Sequence, residues 1–154
     1  MRERIGRFRR ILKAREMARD LIQKQMADLR AQENALIDKL KKLRDEKQLY
    51  MDRFSQVAQG QVTIDELRIS SEDISRTEDH IKEGIVEIFH LRKRIDQVEA
   101  ILVERHKDVR KVEMYLEQMI LQWEKEMNRR DQIVVDDMAG ILHDRKNREG
   151  GNLQ

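Results

Sequence analysis

Ser55-Gln56-Val57-Ala58-Gln59-Gly60-Gln61-Val62-Thr63-Ile64-Asp65-Glu66 is the stretch whose reading decides the fold. Gly60 can adopt the left-handed conformation that ends a helix without steric cost. Three residues later, Thr63 and Glu66 have the spacing of a capping box, in which a hydroxyl caps a new helix and an acid reaches back to its first amide. A second start signal follows at Ser70-Ser71-Glu72-Asp73, where a hydroxyl precedes two acids that favour the positive end of a helix. The segment therefore reads as a break, with residues 59–70 forming a turn that contains a short helical piece.

On either side of the break the spacing is helical. Steps of three and four from Ile5 run through Phe8, Leu12, Arg15, Arg19, Ile22, Met26, Leu29, Glu33, Leu36, Leu40, Leu43, Lys47, Tyr50, Phe54 and Val57. Beyond the break they run through Ile74, Thr77, Ile81, Gly84, Ile88, Leu91, Ile95, Val98, Leu102, Arg105, Val109, Val112, Leu116, Met119 and Trp123. Twelve of the sixteen positions in the first stripe and twelve of the fifteen in the second are apolar, so each helix needs a partner helix along its whole seam. One break between two matched stripes predicts an all-α fold, a long antiparallel two-helix coiled-coil hairpin. A single continuous helix in a parallel dimer is the alternative. The expected organisation is one coiled-coil domain over residues 1–154, with helix 1 at about 3–58, helix 2 at about 71–147 and a frayed tail from 148 to 154. Folding back near residue 64 puts Ile5 level with about Trp123. The C-terminal helix then projects past the N-terminus with a shifted stripe of Met127, Val134, Met138 and Ile141, which need an external partner.

Composition agrees. Charged residues make up 40% of the 154, aromatics only 4%, and there is no proline, which is the balance of long helices rather than of a compact core. The net charge of +2 is interspersed, which argues against a protein that coats nucleic acid. The absence of cysteine excludes thiol chemistry and fits a reducing cytoplasm. No apolar run is long enough for a signal peptide or a membrane span.

Chemistry is sparse. Phosphate-loop, nucleophile-elbow and zinc-helix motifs are all missing, and a two-helix pair has no enclosed pocket, so no catalytic residue, cofactor or metal is expected. Glu87-Ile88-Phe89-His90 has the Glu-x-x-His spacing of di-iron bundles, which use the motif twice with two further glutamates. A single copy reads as surface residues. His80, His106 and His143 are isolated. The N-terminal run Arg2, Arg4, Arg7, Arg9, Arg10, Lys13 and Arg15 faces only Glu3 and Glu16. It reads as a solvated face, or as a contact for an acidic protein, a membrane or nucleic acid. Arg15 and Arg19 interrupt the seam, either to pair across the hairpin or to mark a docking helix. Gly84 costs its helix about 1 kcal/mol relative to alanine, and reads as a flex point, a close-approach site or a tolerated residue. Trp123 reads as a seam residue packing on Ile5 and Phe8.

The terminal motifs resemble the FliJ/YscO family of coiled-coil stalk proteins from flagellar and virulence type III secretion systems. The resemblance rests on Phe8-Arg9-Arg10-Ile11-Leu12-Lys13-Ala14-Arg15-Glu16 near the start, and on Asp131-Gln132 followed by Asp136-Asp137-Met138-Ala139 near the end. The chain departs from the pattern at Ile133-Val134-Val135, and at Asp73 and Thr77. The resemblance implies a non-enzymatic stalk, similar to the gamma subunit of rotary ATP synthases, that inserts its terminal end into a hexameric export ATPase. It further implies promotion of ring assembly and hydrolysis, and links to an export gate protein and export chaperones. The implied ring-contact residues are Phe8, Arg9, Arg10, Arg15, Asp131, Gln132, Asp136 and Asp137. No nucleic-acid partner is implied. The location is cytoplasmic, at the face of a secretion apparatus, and peripheral to the membrane only through partners. The flagellar system is favoured over the virulence one. A generic coiled-coil scaffold or tether, and the stalk of a vacuolar-type rotary ATPase, are the alternatives.

Overall fold

The computed structural model describes residues 1–60 and 63–151. Two helices account for nearly all of them, α1 (Arg2–Gln59) and α2 (Ile64–Gly151), and no strand occurs among the described residues. Contacts divide the chain into two compact units, Met1–Met17 with His106–Gln154, and Ala18–Arg105, each built from both helices.

Within the Ala18–Arg105 unit the helices are antiparallel. Leu29 packs with Leu91, Ile95 and Val98, and Ile22, Met26 and Leu36 close over that cluster. Glu33 faces Arg92 across the pair at 3.9 Å, Leu40 faces Gly84, and Lys47 faces Glu78 at 3.2 Å. Seven residues forward on α1 thus correspond to about seven backward on α2, as a heptad register requires. The seam positions are the expected ones. Two of the charges that interrupt the α1 stripe, Glu33 and Lys47, are matched by opposite charges across the pair, while Arg19 pairs with Asp20 of its own helix at 3.2 Å. Thr77 is buried, and its hydroxyl donates to the Asp73 carbonyl one turn back at 2.9 Å, which satisfies the one polar group the seam takes in there.

Three expected boundaries are corrected. α2 starts at Ile64 and not near residue 71, so no separate short helical piece precedes it. The Thr63 hydroxyl accepts from the Glu66 amide at 3.3 Å and caps the helix, and Leu67, Ser70 and Ile74 then carry the three-four spacing through the supposed second start. Ser70 and Ser71 are mid-helix residues. Gly60 does not take a left-handed conformation; among the described residues no glycine does. Instead the Gly60 amide donates to the Val57 carbonyl at 3.2 Å, a tight last turn that any residue could close. Gln61 lies outside the described residues. At the C-terminal end, residues 148–151 belong to α2 and are not a frayed tail, because no proline interrupts the backbone ladder and Asn147 bridges to His143 at 3.2 Å; the tail's remaining residues, 152–154, lie outside the described residues.

Candidate functional site

The residues singled out at the two chain ends all fall in one unit, Met1–Met17 with His106–Gln154. Its core is a cluster of Ile5, Leu116 and Met119, against which Phe8, Leu12, Ile120 and Trp123 pack. The three-four spacing of α1 delivers Ile5, Phe8 and Leu12 to one face, and that of α2 delivers Leu116, Met119 and Trp123 to meet them. Trp123 is therefore the seam residue it was expected to be, level with Ile5.

The same geometry sorts the predicted contact residues into two kinds. Phe8 is half-buried in the seam and helps hold the helices together. Arg9 and Arg10 are exposed because they fall between seam positions, and Arg15 is exposed although it occupies one. Two shallow recesses open beside Trp123. One, of about 410 Å³, is lined by Arg2, Ile5, Gly6, Arg9, Ile120, Trp123 and Glu124. The other, of about 260 Å³, is lined by Met1, Arg2, Trp123, Glu126, Met127 and Arg130. Arg2, read from the sequence as part of the basic run, belongs to this surface, and so does Met1, to which the sequence reading gave no role. The signal was available, since both lie one turn or less before Ile5.

From Met127 onward every described residue of α2 is exposed. The stripe of Met127, Val134, Met138 and Ile141 is from 37% to 62% exposed, so no described residue of this unit covers it. Ile133, Val135 and Leu142 widen it on both flanks and were not in the expected stripe. Polar pairs within the helix support this segment: Arg129 and Arg130 both reach Glu126, at 3.2 and 3.4 Å, and the Gln132 amide donates to Asp136 at 3.1 Å. Two of the predicted contact residues, Gln132 and Asp136, thus bond each other along the helix surface. Asp131 and Asp137 are exposed beside them.

The arrangement offers exposed apolar side chains with guanidinium and carboxylate groups interspersed around them. Such a surface is suited to binding another protein. Elsewhere, Glu87 and His90 are both exposed, and the His90 ring lies edge-on to Phe89. Among the described residues no group of three His, Cys, Asp or Glu residues could hold a metal ion, and no helix is long and apolar enough to cross a membrane.

A family model described as "Flagellar FliJ protein" matches residues 4–148. No curated protein and no solved structure gave a match.

Proposed function

The chain belongs to the flagellar FliJ family, and from that membership we propose that it is the non-enzymatic central stalk of a flagellar type III protein-export ATPase. It promotes assembly of the hexameric ring and its ATP hydrolysis, and it links the ring to the export gate protein and to export chaperones. It acts at the cytoplasmic face of the secretion apparatus.

The observation that carries this reading is the uncovered apolar stripe of residues 127–142, in the same unit as the basic first turns of α1. Burying such a stripe against a partner is favourable in proportion to the apolar area removed from water. Arg9, Arg10 and Arg15 supply positive charge for acidic loops, and Asp131, Asp136 and Asp137 supply negative charge for basic ones. These pairs set orientation more than affinity. The stalk itself needs no group that enters the hydrolytic chemistry.

The test is to mix the purified chain with the export ATPase of its own organism and to follow ATP hydrolysis and particle size together. The comparison is a version ending at Lys125, which keeps the Ile5–Trp123 seam. The full chain raises turnover and drives hexamers, and the short version does neither. If neither version has any effect, the chain is a coiled-coil scaffold for some other partner.

A further inference from the structure

A second exposed apolar patch lies on α2 in the other unit, away from the chain ends. Ile85, Val86 and Phe89 are 56%, 54% and 57% exposed. At 100° per residue Val86 points directly away from the seam, which passes through Ile81, Gly84, Ile88 and Leu91, while Phe89 and Ile85 lie progressively nearer its flank. Lys82 precedes the patch by one turn and Lys93 follows it by one turn, both exposed and both on the same face. The Lys93 ammonium sits 4.6 Å from the Phe89 ring centre, and the His90 ring meets the phenyl edge-on at 5.9 Å. Phe89 is thus held by its own helix while more than half of its surface remains open.

The acids of this stretch are turned elsewhere. Glu83 and Glu87 line a recess beside α1 with Lys39, Leu43 and Gly84, and Glu83 also faces His80 at 3.7 Å. Between Lys82 and Lys93 the outward face therefore carries three apolar side chains and two cations, with no carboxylate. The exposed apolar residues of α1 in this unit, such as Leu21 and Leu49, are scattered singly and form no comparable cluster.

We propose that this face is the docking site for an amphipathic helix of an acidic protein partner, with apolar residues at helical spacing packed on Ile85, Val86 and Phe89 and carboxylates paired to Lys82 and Lys93. The charge pattern selects that occupant. A second copy of the chain would bring lysine against lysine in both the parallel and the antiparallel orientation, because the two cations bracket the patch symmetrically, and like charges so placed oppose association. An anionic lipid surface would want a broad apolar face over many turns, whereas this one spans about two. A helix laid in register along it offers anchors at i, i+3, i+4 and i+7, the spacing by which helices are read in grooves.

The test uses the full chain and a fluorescent helical peptide of about 20 residues, long enough to hold a helix. The peptide carries leucines at those four positions and glutamates flanking them; a second peptide carries lysines in place of the glutamates. Anisotropy gives affinity, and amide chemical shifts locate the contact. The acidic peptide binds at residues 82–93, Phe89→Ala weakens it by about tenfold or more, and raising salt weakens it further. The double variant Lys82→Glu with Lys93→Glu loses the acidic peptide and gains the lysine one. All these side chains are exposed, so the variants keep the fold. The proposal is overturned if the two peptides bind alike or not at all, or if binding maps outside residues 82–93. It also fails if Phe89→Ala instead abolishes self-association or binding to anionic vesicles.

Discussion

Gly84→Ala is a substitution whose sign depends on what faces it. In an unobstructed helix interior the change stabilises by about 1 kcal/mol, because alanine has less backbone entropy to lose. Here a methyl group built on Gly84 would lie 2.5 Å from Leu40 Cδ2 and 3.3 Å from its Cγ, well inside contact distance. Leu40 must then move off its present rotamer, or the helices must separate. Overpacking of this kind costs about 2 kcal/mol, mid-range because the obstructing atom is a side-chain tip and not backbone. The net effect is a loss of about 1 kcal/mol, a fall of roughly 2–4 °C in the unfolding midpoint for a chain of this length. Leu40→Ala removes the obstruction and costs about 2 kcal/mol by itself, at the low end for a leucine that is only half-buried. In that background Gly84→Ala should stabilise by about 1 kcal/mol, so the cycle closes with a coupling of about 2 kcal/mol. Urea unfolding of the four proteins, followed by circular dichroism, measures it. A Gly84→Ala that stabilises equally in both backgrounds would refute the reasoning and make this glycine merely tolerated.

The other expectations test particular contacts. Leu29→Ala should cost about 2–5 kcal/mol in urea unfolding, because Leu29 is 3% exposed at the centre of its cluster. Thr63→Ala should cost about 1 kcal/mol through loss of the cap on Glu66, whereas Ser71→Ala, in mid-helix, should fall within about 0.5 kcal/mol of wild type; a larger loss at Ser71 would mean that the second start signal operates after all. Arg9→Glu with Arg10→Glu should leave the unfolding midpoint nearly unchanged while lowering the stimulation of the export ATPase severalfold, read as turnover at fixed stalk concentration. An unaltered stimulation would remove these arginines from the ring contact.

The hairpin was legible in the sequence because its cause is periodic. The seam residues from Ile5 to Val57 and from Ile74 to Trp123 repeat at the spacing that only a paired helix can use, and the structure buries or half-buries nearly all of them, Arg15 being an exposed exception. The boundaries were less legible because caps are local and compete. Ser70-Ser71-Glu72-Asp73 has the composition of a helix start, yet a cap matters only where the preceding backbone is not already helical, and Thr63 acts first. Gly60 misled for a related reason, since a glycine permits a left-handed turn without requiring one. At the chain ends, the motif residues could be named but not sorted. The sequence treats Phe8 and Arg9 as neighbours, whereas the helix sends one into the seam and the other to solvent. The patch at Ile85, Val86 and Phe89 escaped notice because it lies off the seam register, where apolar residues ordinarily stand alone.

The two exposed apolar surfaces differ in what holds their helix in place. Around Phe89 the opposite side of α2 is fixed by Ile88, Leu91 and Ile95 in the seam, so a docking helix meets a surface already ordered. From Met127 to Gly151 no residue of α2 is buried, and the helix rests on its own propensity and on pairs such as Arg129–Glu126. Within it Ile133-Val134-Val135 and Gly140 have low helix propensity and no seam contact to offset it, so these turns are held less firmly than those along the seam. Partner binding at this end must therefore stabilise the helix as well as bury its stripe, and affinity depends on how much helix is already formed. Substitutions that raise helix propensity on its polar face, Gly140 above all, should then tighten binding without touching the partner. An apolar residue removed from the stripe should weaken it through both terms at once.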